Sequence, residues 1–110
     1  MNRFAIVVRV GTLGQPAFQL RKGETGLSVF DPHAADPPLT DEEILEPFRS
    51  GSVVVYRTLQ EVAEMGLQVI ETPGAEALPD RLRLAHREIA AATSMTRPEF
   101  KTALKRLEDE

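Results

Sequence analysis

Three times in this chain a threonine stands three residues ahead of a glutamate at the head of an apolar helical pattern: Thr40 with Glu43, Thr58 with Glu61, and Thr96 with Glu99. That spacing is a capping box, in which the threonine oxygen accepts the N–H of the third helical residue and the glutamate returns to the N–H of the cap. Two of the three carry a hydrophobic staple as well, Leu39 with Ile44 and Met95 with Phe100. Helix starts are thus pinned at three places, and β-branched runs lie between them. "FAIVVRV" (4–10), "SVVVYR" (52–57) and "LQVIE" (67–71) read as strands, and 17–20 and 27–30 as two more, joined by a polar turn into a hairpin. Helices and strands interleaved in this way specify an α+β domain.

The stops agree with the starts. Pro47 ends the first helix within two turns, because it lacks an N–H and clashes with the preceding turn. Gly66 closes the second as a left-handed cap. Strand 52–57, helix and strand 67–71 span the minimum for a parallel crossover, with an antiparallel arrangement as the alternative. Phe100, Ala103, Leu104 and Leu107 follow at helical spacing and define a last amphipathic helix over 97–108. Between Asp80 and Met95 the pattern is ambiguous: Leu82, Ala85, Ile89 and Ala92 fit one helix, and the run of alanines favours it. The expected architecture is one domain over 1–110, a curved mixed sheet of about five strands with two or three peripheral helices.

Composition narrows the function classes. With 42% hydrophobic and 27% charged residues the chain is globular and not disordered. A net charge of −4 removes the global electrostatic case for nucleic acid. The absence of cysteine excludes thiol chemistry, and with no apolar leader or membrane-length run the expected location is a reducing cytoplasm. The two histidines, His33 and His86, are far apart and form no metal-ligand spacing, so no metal is expected. "GTLGQP" lacks the third glycine of a dinucleotide fingerprint, and no nucleophile elbow surrounds Ser28. Charge is segregated: Asp31, Asp36, Asp41, Glu42, Glu43 and Glu46 form an acidic stretch within 31–46, while Arg97, Lys101, Lys105 and Arg106 line one side of the last helix. A non-catalytic module that docks a protein partner, or a second copy, through either patch is one functional expectation.

A second expectation comes from two ordered segments. "GETGLSVFD" (23–31) and "AHREIAAATSM" (85–95) resemble, in motif and in order, the small ADP-ribosyltransferase-like toxins secreted by the bacterial type VI system. The resemblance covers 23–31 and 86–104 and departs from the family where "AAATS" replaces the proline that such a strand runs into. It implies a helical turn over 80–84 followed by a strand over 86–90, and a cleft for a nicotinamide dinucleotide (NAD) between two halves of a split sheet. On that reading Arg9 clamps phosphate by bidentate hydrogen bonds, Ser28 holds backbone or ribose near the nicotinamide, and Tyr56, Arg57 or His86 supply further polar contacts. Transfer also wants a carboxylate beside the oxocarbenium-like centre; Glu71 is the first candidate and Glu88 the second. The predicted site is therefore Ser28, His86 and Glu71 for chemistry, with Arg9, Ser28 and Arg57 for the cofactor.

Overall fold

In a computed structural model the structure describes residues 5–110, and these described residues fold as five strands and four α-helices. Phe4, expected to begin the first strand, lies outside the described residues. The elements follow as β1 (Ile6–Thr12), β2 (Gly26–Phe30), a 3-10 turn (Pro32–Ala34), α1 (Asp41–Leu45), β3 (Ser52–Thr58), α2 (Leu59–Glu64), β4 (Leu67–Glu71), α3 (Asp80–Ala85), β5 (His86–Ala91) and α4 (Arg97–Glu108). The strands form one sheet in the order β3-β1-β2-β5-β4. Every pairing is antiparallel, so the parallel crossover is not formed. β3 and β4 run to opposite edges of the sheet, and α2 between them touches both.

The helix starts are largely as the threonines dictate. Thr58 and Thr96 each accept from the third helical N–H, and Glu61 and Glu99 each accept from the cap N–H, completing both boxes. The cap bonds hold the Glu99 carboxyl below its ordinary pKa, since they favour the charged form. The first box is only half closed. Thr40 accepts from the Glu43 N–H, but the Glu43 carboxylate turns outward to Arg81, whose Nε and Nη2 lie 2.6 and 3.2 Å from its two oxygens. A bidentate guanidinium is a stronger donor than one more backbone N–H, and the exchange ties α1 to α3.

Residues 17–20 form no strand. Ala17, Phe18 and Leu20 are buried as a strand face would be, but side chains take the place of a ladder there. Arg9 Nε donates to the Ala17 carbonyl at 2.9 Å, and the Phe18 N–H donates to the Glu108 carboxylate at 2.6 Å. The expected hairpin is therefore absent, and β2 pairs with β5 along its whole length instead. The ambiguous segment divides into α3 and β5, as the family resemblance implies and against the single helix that the alanines favour. Strand pairing on both sides of Ile89 outweighs the modest helix preference of alanine.

Two apolar cores cover the two faces of the sheet. On one, Val7, Leu27, Val29, Ile89 and Leu67 pack against Val62 of α2 and against Phe100, Leu104 and Leu107 of α4. On the other, Val8 and Phe30 pack against Ile44 of α1, Leu82 and Ala85 of α3, and the loop residues Ala35 and Leu39. The second layer is partial, because Ser28, Gln68 and Ile70, strand positions beyond Phe30 and His86 on that face, are exposed.

Candidate functional site

The joint between the two halves of the sheet is a single residue pair. β1 meets β2 only at Val8 and Phe30, whereas β1–β3 and β2–β5 are paired along their length. Continuing the β1–β2 register would place Val10 opposite Ser28. Instead the Arg9 side chain fills the gap: Nη1 donates to the Ser28 carbonyl at 2.8 Å and Nε to the Ala17 carbonyl at 2.9 Å. The guanidinium is thus a wedge that satisfies main-chain acceptors where a ladder would have run.

That wedge stands at one end of a cavity of about 380 Å³, lined also by Val10, Ser28, Phe30 and His86 of the sheet. Phe48, from the turn after α1, forms one wall, and Pro73, Ala75 and Leu78, from the loop after β4, form the other. Phe30 stands edge-on to Phe48 with ring centroids 6.4 Å apart, and edge-on to His86 at 5.7 Å. The histidine is buried, with Nδ1 2.9 Å from the Thr72 hydroxyl and 3.2 Å from the Thr72 carbonyl oxygen. Its other ring nitrogen has no protein partner among the described residues.

The electrostatics are set by Arg9. Burial pulls the guanidinium pKa below its usual value, with Glu24 and Glu108 opposing that shift and Arg21 adding to it. No carboxylate forms an ion pair with Arg9 among the described residues. Its bonded partners are neutral carbonyls, and Nη2 is left without one. A half-buried cation whose hydrogen bonds go to neutral carbonyls keeps a donor free for a further acceptor. Ser28, exposed, adds a hydroxyl, and the phenyl edges offer a surface for a planar ring.

Of the residues expected from sequence, Arg9, Ser28 and His86 therefore line one cavity. Two others do not. Arg57 lies against α4, where Nε and Nη2 donate to the Leu107 and Glu108 carbonyls at 2.8 and 2.9 Å, and its guanidinium sits over the Phe18 ring. It satisfies the open carbonyls at a helix C-terminus, a structural task. Glu71 is 3.4 Å from Arg87 and projects from the end of an edge strand into solvent, with its side chain 84% exposed. It pairs in register with Arg87, which alternation places on the sheet face opposite His86. Glu88 lies directly across from Ser28, on Ser28's own face. Sequence reasoning missed Phe48, Thr72 and the loop after β4. Phe48 follows a proline outside any periodic pattern, and Thr72 acts only through a histidine brought beside it by β4–β5 pairing.

The charged patches are partly engaged within the fold. Asp31 caps the 3-10 turn, Asp41 accepts from the Tyr56 hydroxyl, and Glu43 binds Arg81. Arg97 donates to the Glu24 and Arg21 carbonyls. Among the described residues no cluster of potential metal ligands is present, and no helix is long and apolar enough to cross a membrane.

No family model matches the chain, and no solved structure matches it. Over 78 residues, 71% of this chain, it is 38% identical to 1-deoxy-D-xylulose-5-phosphate synthase of Myxococcus xanthus (strain DK1622). The chain spans 13% of the length of that curated relative, so the similarity is to a piece of a much larger protein.

Proposed function

We propose that the cavity binds a nicotinamide dinucleotide, and that the chain is a small domain of the ADP-ribosyltransferase-like toxin kind. The observation that carries this reading is the half-buried Arg9 guanidinium, bonded only to carbonyls, beside Ser28 and His86 in one cavity. The free guanidinium nitrogen takes a phosphate oxygen of the dinucleotide. Ser28 and His86 offer hydroxyl and imidazole groups to a ribose, and Phe30 and Phe48 face a planar ring. A volume near 380 Å³ stands toward the small end of ligand sites, about 300–1,000 Å³, so one nucleotide half is seated and the other runs out along the surface.

Titration of the isotope-labelled protein with NAD, followed by amide shifts, tests the reading. Shifts are expected at Val10, Ser28, Phe30 and His86, and Arg9→Ala should weaken binding by tenfold or more, the loss of one charge-assisted contact being worth roughly 1.5–3 kcal/mol. Unperturbed amides at millimolar NAD, in a spectrum showing a folded protein, would remove it. Release of nicotinamide on longer incubation would extend the reading from binding to turnover.

A further inference from the structure

β3 lies at the edge of the sheet farthest from β4, and no strand pairs with its outer side among the described residues. It runs seven residues in unbroken register along β1, with neither bulge nor proline. The bonds just beyond its two ends, Leu13 N–H to the Gly51 carbonyl and Leu59 N–H to the Ala5 carbonyl, fix which groups look inward. By antiparallel alternation Val53, Val55 and Arg57 turn their main-chain groups to β1, and Val54 and Tyr56 turn theirs outward. The Val54 N–H and carbonyl and the Tyr56 N–H have no hydrogen-bond partner among the described residues. The outward N–H groups of Ser52 and Thr58 are already taken, by the Arg49 carbonyl and the Glu61 carboxylate. Charge, proline, a bulge or a covering element ordinarily protects such an edge. Here the strand's one charge, Arg57, folds under to α4. The opposite edge differs: β4 has five residues, ends on Glu71 and is flanked by α2.

We infer that β3 pairs antiparallel with β3 of a second copy of this chain, about a two-fold axis at Val54, joining two sheets edge to edge. The strand is self-complementary in that register. Val54 meets its own copy and exchanges both main-chain bonds, and the Tyr56 N–H of each copy reaches the Ser52 carbonyl of the other. On one face Val53 lies across from the partner's Val55, a β-branched pair; on the other the small Ser52 stands beside the ring of Tyr56. Charge follows the same axis. The Tyr56 hydroxyl donates to Asp41, so the acidic head of α1, with Asp41 and Glu42 exposed, stands at the Tyr56 end of β3. Arg49 is held to the Ser52 end by its carbonyl, exposed and with no ion pair among the described residues. Antiparallel pairing sets each end against the other, so Arg49 of each copy comes beside Asp41 and Glu42 of its partner. Parallel pairing would set like charges together. An isologous contact of this kind closes at two copies.

Sedimentation velocity over a concentration series from micromolar to millimolar tests the inference. A reversible monomer–dimer equilibrium that weakens with salt is expected. Arg49→Glu should weaken it roughly tenfold, since each charge contact occurs twice in a symmetric pair. Adding Glu42→Arg to that variant should restore it. Amide hydrogen exchange distinguishes this edge from any other contact: the N–H groups of Val54 and Tyr56 should gain protection as concentration rises, while that of Val55, bonded to β1, is protected throughout. Val54→Pro removes an N–H that no bond within one copy uses, so the protein should keep its circular dichroism spectrum and sediment as a monomer. A wild type that is monomeric at every concentration would overturn the inference. So would a dimer that Arg49→Glu leaves unchanged, or concentration-dependent protection that spares Val54 and Tyr56. None of these readouts uses NAD, so the dimer and the dinucleotide reading stand or fall separately.

Discussion

Arg9 and Tyr56 show how single polar groups hold this small fold and what each costs. Arg9 replaces a stretch of ladder by two side-chain bonds and remains short of an anion. Tyr56 stands opposite Val8 on β3, and its hydroxyl donates to Asp41 of α1, which pushes the tyrosine pKa up to about 12 from an ordinary value near 10. The phenol is protonated in that bond, and its folded pKa lies above the unfolded one. The stabilisation is therefore complete below about pH 10 and fades as pH rises toward 12. The side chain is 43% exposed, so the effect is modest in water and screened by salt. Denaturant melts between pH 8 and 12 should show the wild type losing stability across that window. Tyr56→Phe should start lower and change less there, and parallel curves for the two proteins would show that the contact contributes nothing.

At the scale of elements, Arg57 lies away from the cavity and joins β3 to α4. Its guanidinium spans from β3 to the last carbonyls of α4 and covers Phe18, so three separate segments meet on one side chain. Arg57→Met keeps the stem and removes those charge-assisted bonds. The expected cost is about 1.5–3 kcal/mol of unfolding free energy, read by urea denaturation, with NAD affinity unchanged. A loss of affinity in a protein of unchanged stability would return Arg57 to the cavity.

The same element explains what a linear reading can and cannot recover. Thr58, Thr96 and Gly66 act on neighbours within four residues, so helix starts and a stop were legible in the sequence. Strands 52–57 and 67–71 were legible for the same reason, and the division of 80–92 became so through the family resemblance. Whether 17–20 pairs, and where Arg57 points, depends on Glu108 and Leu107, some ninety and fifty residues away. Arg9, Ser28 and His86 meet because β1, β2 and β5 are neighbours in an order that no local pattern encodes. Glu71 and Glu88 look alike along the chain. Register alone puts Glu88 across from Ser28 and turns Glu71 toward Arg87 on the other face.

At the scale of the molecule, the sheet is two paired units joined at one point. β3–β1 forms one unit and β2–β5–β4 the other, with a single β1–β2 pair between them. The core under α2 and α4 draws residues from both units, so the joint is backed on that side by Val7 packed with Leu27 and Val29. On the cavity side Val8 packs with Phe30, and beyond that pair Arg9 fills the gap. Opening there breaks few main-chain bonds, and the strands flanking the gap should open at lower free energy than the paired strands beyond. In amide hydrogen exchange the N–H groups of Val10 and Ser28, which face the gap between β1 and β2, should exchange well before those of Val55 or Ile89. A ligand seated on Arg9 and Val10 from one unit and on Ser28 and His86 from the other ties the two together. NAD at saturation should therefore slow exchange on both sides of the joint at once, by the factor that its binding free energy sets. Protection confined to one unit would place the ligand elsewhere, even if the titration shifts were to include Ser28. Slow exchange at the joint without ligand would show that packing beneath the sheet, and not the ladder, holds its two halves together.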